Sequence, residues 1–107
     1  MPHFMVQASY TSDSWATQIK NPQDRLGAIA EMAKANGSEV LSAYYAFGKY
    51  DIVMIIESPS NVAAAGILIS AAGGGAVSNI RTTVLLTNDE GLEAIGAAGG
   101  IGYTPPA

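Results

Sequence analysis

The chain contains no cysteine. Disulfides, thiolate metal ligands and a cysteine nucleophile are therefore excluded, and the composition fits a reducing compartment. Histidine is nearly absent too: His3 is the only one. Zinc and similar ions want three or four ligands, so no metal centre is expected within one chain. A Ser-His-Asp arrangement has no spacing to support it, and no carboxylate pair stands out on a shared face. Charge is scarce, at 13% of residues against a usual share of roughly 25%. Basic charge is scarcest, with 5 Lys and Arg scattered singly against 9 Asp and Glu. No basic stripe exists to neutralise phosphates, so neither nucleic acid nor an anionic membrane is an expected partner. Long apolar runs are missing as well. The longest, Val62 to Ala72, falls short of the ~20 residues that span a bilayer and reads as a buried helix. Met1-Pro2-His3 lacks the basic-then-apolar pattern of a signal peptide, so a cytoplasmic location is expected.

What is present is apolar. Hydrophobic residues make up 49% of the 107 positions, enough for one domain with one core. A small globule has much surface to cover, and so few charges imply that some apolar surface meets another subunit.

Phe4 to Tyr10 reads as a strand ended by polar residues. Ser14 or Asp13 is placed to cap a short helix through Lys20. Asn21 as N-cap, Pro22 at the first helical position and Asp24 in the first turn open a second helix. Leu26, Ile29, Ala30 and Ala33 line one face of it, and Asn36-Gly37 ends it. Val40 to Phe47 and Asp51 to Ser58 are strands joined by Gly48-Lys49-Tyr50, a hairpin. Ser58 and Pro59 open an Ala-rich helix that stops at Gly73-Gly74-Gly75. Val77 to Leu86 is a fourth strand, and Thr87 with Glu90 makes a capping box for a last short helix. Residues 1–96 are expected to form the domain, with 97–107 a Gly- and Pro-rich tail that is loose or tied down on a neighbour.

Strand, helix, strand, strand, helix, strand is the order of the ferredoxin-like βαββαβ fold, an α+β sandwich on a four-stranded antiparallel sheet, here with an extra C-terminal helix. The first and third strands should be the central pair. In the third, Val53 and Ile55 point to one face and Ile52, Met54 and Ile56 to the other. Helices on one side of a sheet require a single apolar face, yet both faces are apolar. A second copy, giving a dimeric α/β barrel, would cover the spare one, so a homo-oligomer (a dimer or a multiple of dimers) is expected. A buried ligand is the alternative cover. A charge introduced at Met54 is expected to abolish assembly.

Phe47-Gly48-Lys49-Tyr50-Asp51 resembles the signature of the GYD domain family, small proteins of bacteria and archaea. The similarity extends to the strand ending in Tyr10-Thr11, to Tyr44-Tyr45-Ala46-Phe47, to the Pro59-started helix and to Arg81-Thr82-Thr83-Val84-Leu85-Leu86-Thr87. It implies a ferredoxin-like fold and no settled activity. The hairpin is also similar to that of the ligand-binding domain of leucine-responsive (AsnC-type) regulators. Those domains pair through their sheets and bind small effectors between subunits. No helix-turn-helix precedes the domain, so a transcription-factor reading is not expected.

The candidate ligand-binding residues are His3, Gln7, Tyr45, Tyr50, Asp51 and Arg81. Asp51 has a plainer role, bonding backbone amides in the turn. Tyr50 could lie over a pocket or at an interface. His3 could serve as a single general base at the sheet edge. Arg81, in an otherwise uncharged strand and sharing a face with Asn79 and Thr83, could anchor a carboxylate or phosphate, or pair with Glu57 or Asp51 across the sheet. Gln7 and Ser9, with Tyr44 or Tyr45, would complete a small-molecule cleft. The glycine run at 73–75 follows a helix rather than preceding one, so it is no phosphate cradle. No cofactor is expected. Two functions remain open: a homo-oligomeric small-molecule-binding or assembly module, or a cofactor-independent enzyme (monooxygenase, decarboxylase or isomerase) with its site inside the barrel.

Overall fold

The computed structural model describes residues 1–106. The chain runs β1 (His3–Tyr10), α1 (Ser12–Lys20), α2 (Arg25–Lys34), β2 (Glu39–Tyr45), β3 (Ile52–Glu57), α3 (Asn61–Gly73), β4 (Val77–Leu85) and α4 (Asn88–Ala98). The strands form one antiparallel sheet in the order β2-β3-β1-β4. This is the α+β arrangement expected from the sequence, with β1 and β3 at the centre.

Three helix starts differ from the sequence reading. Thr11, not Ser14 or Asp13, caps α1, its hydroxyl accepting from the Ser14 amide at 3.2 Å. Asn21 ends α1 instead of starting α2: its amide donates to the Thr17 carbonyl at 3.0 Å. Pro22 then pushes Asn21 out of the helical region and offers no amide of its own, so α2 waits for Asp24, whose carboxylate accepts from the Gly27 amide at 2.9 Å. Ser60, not Ser58, caps α3 by accepting from Ala63 at 3.1 Å. Ser58 is buried and shares a 2.7 Å hydrogen bond with Ser38, locking β3 to the start of β2. The capping box of α4 forms as expected: Thr87 Oγ1 accepts from the Glu90 amide at 3.2 Å, and Glu90 Oε1 accepts from the Thr87 amide at 2.9 Å. Those bonds hold the exposed Glu90 carboxyl below its usual pKa.

The core lies between one face of the sheet and α2 and α3. Phe4, Val6, Ala8 and Tyr10 from β1 meet Ile52, Met54 and Ile56 from β3, with Leu26, Ile29, Ala64 and Leu68 packed over them. Met54 is therefore a core residue, 5% exposed. The expectation that a charge there would probe the spare face is corrected: the uncovered side carries Val53 and Ile55. Two irregularities bend the sheet edges. One sits between Val40 and Ser42 on β2. The other lies opposite Gln7 to Ser9 of β1, where Asn79 of β4 takes a left-handed φ of 49°. Asn tolerates that region better than most residues. The bulge takes Asn79 out of the regular alternation that would have aligned it with Arg81 and Thr83.

α4 stands apart. It has no buried residue and packs extensively against no other element. The described chain measures 59 Å along its longest axis, and its radius of gyration is 17.2 Å. A compact chain of this length would have a radius of about 13 Å. The β4 strand ends beside His3, so α4 and the residues after it leave as an arm from that end of the sheet.

Candidate functional site

Among the described residues, no element packs extensively over the second face of the sheet. Residues directly opposite one another in an antiparallel pair point to the same side, so the register gives this face row by row. Tyr44, Val53, Gln7 and Arg81 form one row. Ser42, Ile55, Met5 and Thr83 form the middle row, and Glu39, Glu57, His3 and Leu85 the last. The face is apolar at its centre, anionic at the end where the arm departs, and carries Arg81 toward the other end. His3 Nε2 lies 3.4 Å from Glu57 Oε2, while His3 Nδ1 is buried without a hydrogen-bond partner.

Of the candidate residues, His3, Gln7 and Arg81 thus share one face. Arg81 faces Gln7 and forms no ion pair with Glu57 or Asp51; among the described residues Glu57 lies beside His3, and Lys34 pairs with Glu31. Tyr45 pairs with Ile52 and lies on the helix side of the sheet, beside Trp15, Ala46 and Phe47. Its neighbour Tyr44 takes the place on the open face. Tyr50 and Asp51 sit in the hairpin at the end of the sheet. Asp51 is an anchor there: Oδ2 accepts from the Tyr10 amide at 2.8 Å, its own amide donates to Ala8 at 2.9 Å, and its carbonyl accepts from Ala46 at 2.8 Å. Those bonds clamp the hairpin onto the end of β1. The Lys49 ammonium lies 5.9 Å from the centre of the Tyr50 ring, within the range of a weak cation–π contact.

Two of the hollows on the helix side are of similar size. One, of about 330 Å³, is polar and is lined by Thr11, Asp13, Ser14, Thr17, Gln18 and Arg25. Near it the Tyr10 hydroxyl is buried without a hydrogen-bond partner. Burial pushes its pKa above the ordinary 10.0; Tyr45 adds to the rise, and the Arg25 guanidinium partly opposes it. The other hollow, also about 330 Å³, is an apolar notch formed by Trp15, Tyr45, Ala46 and Phe47. Trp15 packs edge-on against Tyr10, their ring centres 5.0 Å apart.

A family model described as the GYD domain matches residues 4–95. The chain belongs to the GYD domain family. One curated relative of this GYD domain is a Thermus thermophilus protein named "Glutamine synthetase and cystathionine beta-lyase binding protein". It is 29% identical over 89 residues, which make up 83% of this chain and 94% of the relative. Among solved structures, MtbAldR superposes over 81% of the chain with a TM-score of 0.58 and 10% identity. The GYD domain spans only 54% of the length of MtbAldR. FFRP-DM1 matches over 80% of this chain and 100% of its own, with a TM-score of 0.54 and 14% identity. A hypothetical protein, PHS023 from Pyrococcus horikoshii, matches over 82% and 93%, with a TM-score of 0.53 and 13% identity. At such identities the likeness carries the fold alone.

Within this GYD domain, sequence reasoning left Tyr44 and Tyr45 open, of which the structure puts Tyr44 on the open face; it missed Met5 and Leu85 there, Arg25 in the polar hollow, and the notch around Trp15. The open-face set follows from strand register, which alternation within one strand does not supply. Trp15 and Arg25 meet their neighbours only through tertiary packing, and no local pattern signals that. Among the described residues no helix is long and apolar enough to cross a membrane, and no cluster of His, Asp or Glu could hold a metal ion.

Proposed function

We propose that this GYD domain is a binding and assembly module that pairs with a second copy through the open face of its sheet and holds a small molecule between the two. The observation that carries this is the apolar centre of that face, Met5, Val53 and Ile55, over which none of the described helices packs extensively. Charge supports a self-complementary pairing. A two-fold axis between the faces and perpendicular to the strands would lay the anionic His3 end of one sheet over the Arg81 end of the other, with β4 over β4. Such an isologous contact closes on itself. A ligand held between the faces would meet His3, Gln7 and Arg81, with Arg81 suited to a carboxylate or phosphate. The name of the Thermus relative, a protein described as binding two enzymes, supports a role in which the assembled module engages another protein.

The first experiment is the mass of the freshly purified protein under non-denaturing spray conditions. An even-numbered assembly is expected, and a reproducible small adduct would give the ligand class. A clean monomer would overturn the reading. One observation favours a second reading: the 3.4 Å His3–Glu57 pair is the arrangement a cofactor-independent enzyme would use as a base. Loss of a measured turnover in His3→Ala, with the assembled mass unchanged, would favour the enzyme.

A further inference from the structure

The C-terminal arm is an exposed apolar segment. Leu92, Ile95, Ile101 and Tyr103 are 60%, 71%, 76% and 79% exposed. α4 has 11 residues and no buried side chain, and helices shorter than roughly 12–15 residues are marginal in water without a surface to pack on. Among the described residues it packs extensively on no other element, and it follows β4 from the His3 end of the sheet in a molecule 59 Å long. An eight-residue strand such as β1 covers only about 26 Å of that.

The opposite end of the sheet holds the apolar notch of Trp15, Tyr45, Ala46 and Phe47, with Trp15 37% exposed and Phe47 fully so. Aromatic-lined grooves suit extended, proline-containing segments, whose polyproline conformation costs little to immobilise. The arm ends in such a segment, Tyr103-Thr104-Pro105-Pro106. Charge is also complementary. From residue 82 onward the chain carries Asp89, Glu90 and Glu93 and no Lys or Arg, whereas Lys49 follows Phe47 closely at the notch, and Lys20 and Arg25 lie on the neighbouring helices.

We infer that the C-terminal arm of one copy docks in the Trp15–Tyr45–Phe47 notch of a second copy, so that two arms and two notches engage reciprocally around the dimer axis. This rests on the sheet-to-sheet pairing proposed above. The same two-fold lays the His3 end of one sheet over the notch-bearing end of the other, so the root of each arm starts above the other copy's β4, three strands or about 14 Å from β2. From there the 11 residues of α4, about 16 Å of helix, and the extended tail have length to spare.

Trp15 is the only tryptophan, so its emission reads the notch directly. The test compares the full chain with a chain lacking residues 99–107, recording native mass, Trp15 emission and acrylamide quenching across a dilution series. The full chain should show protected, blue-shifted emission that is lost on dilution in step with the dimer. The shortened chain should remain able to dimerise, with an affinity lower by roughly tenfold, while its Trp15 is red-shifted and freely quenched at every concentration. Adding the peptide GGIGYTPPA should restore protection. A shortened chain that dimerises with unchanged Trp15 emission would overturn the docked arm and leave the sheet pairing intact. A full chain that is monomeric throughout would overturn both. Protection that persists where the full chain is monomeric would place the arm on its own notch and overturn the exchange.

Discussion

If the open faces pair as proposed, two adjacent residues of β3 separate folding from assembly, because they point to opposite faces of the sheet. Ile55 lies half-buried on the open face, whereas Met54 is 5% exposed among the core side chains. In a lone subunit Ile55→Lys costs little, since the long side chain can rise into water. Between paired faces the same lysine loses the remaining burial of an isoleucine, about 1 kcal/mol per copy by the usual ~1.5–3 kcal/mol for a whole side chain. It also places an ammonium without a partner in a drying interface, at several kcal/mol more. With two copies per interface, the loss is at least roughly 4 kcal/mol, a thousandfold in dissociation constant. Light-scattering mass and circular dichroism should therefore report a folded monomer. Met54→Lys instead buries its charge under α2 and α3, against a total stability of about 5–15 kcal/mol, and should give an unfolded or strongly destabilised chain. An Ile55→Lys chain that keeps the assembled mass would refute the pairing of open faces.

Other expectations follow from single contacts. Because burial holds the Tyr10 pKa above 10.0, the folded chain retains that proton more tightly than the unfolded chain. Its contribution is complete below the unfolded value and is lost as the pH rises through the folded one. Tyr10→Phe should remove that alkaline component from melting curves, with neutral stability at pH 7 because the buried hydroxyl has no partner to lose. Asp51→Ala deletes the 2.8 Å bond from the Tyr10 amide, at about 1.5–3 kcal/mol for a charged acceptor, and should lower the melting temperature; Asp51→Asn keeps an acceptor and should cost less. Thr87→Ala removes half of the capping box of α4, at ~1 kcal/mol. Hydrogen exchange should speed up within 88–98 and stay unchanged in the central strands, since α4 has no part in the core.

The sheet was legible from local patterns because alternation and turn residues agree at each strand. β1 and β3 alternate between core and open face over their whole lengths, and the Gly48–Asp51 hairpin fixes which strands are neighbours. Helix starts were less legible where several capping residues crowd together. Within 58–60 and 21–24, Ser, Asn, Pro and Asp all satisfy the local preference, and tertiary bonds decided among them: Ser58 was taken by Ser38, and Asn21 by the end of α1. The candidate site divided along the same line. His3 and Gln7 came together because they alternate along one strand, and Arg81 joined them through pairing with Gln7. Tyr45 was misplaced relative to them by one position. The irregularity between Val40 and Ser42 resets the face of β2, and a one-residue shift exchanges the two faces.

The family's signature residues are mostly spent on architecture, which moves the search for function elsewhere in the molecule. Asp51 spends its Oδ2, its amide and its carbonyl on bonds at the ends of β1 and β2, so its main role is structural. What this clamp accomplishes is positional. It fixes the end of β1 against β3, and thereby the row of Tyr44, Val53, Gln7 and Arg81 on one side and the stack of Tyr10 on Trp15 on the other. A clamp that holds both surfaces rigid is what a pairing module requires, because docking two preformed faces forfeits less ordering entropy than docking loose ones. If that is its role, Asp51→Ala should weaken assembly more than its effect on melting alone accounts for, and a chain stabilised elsewhere to restore the melting temperature should still assemble poorly.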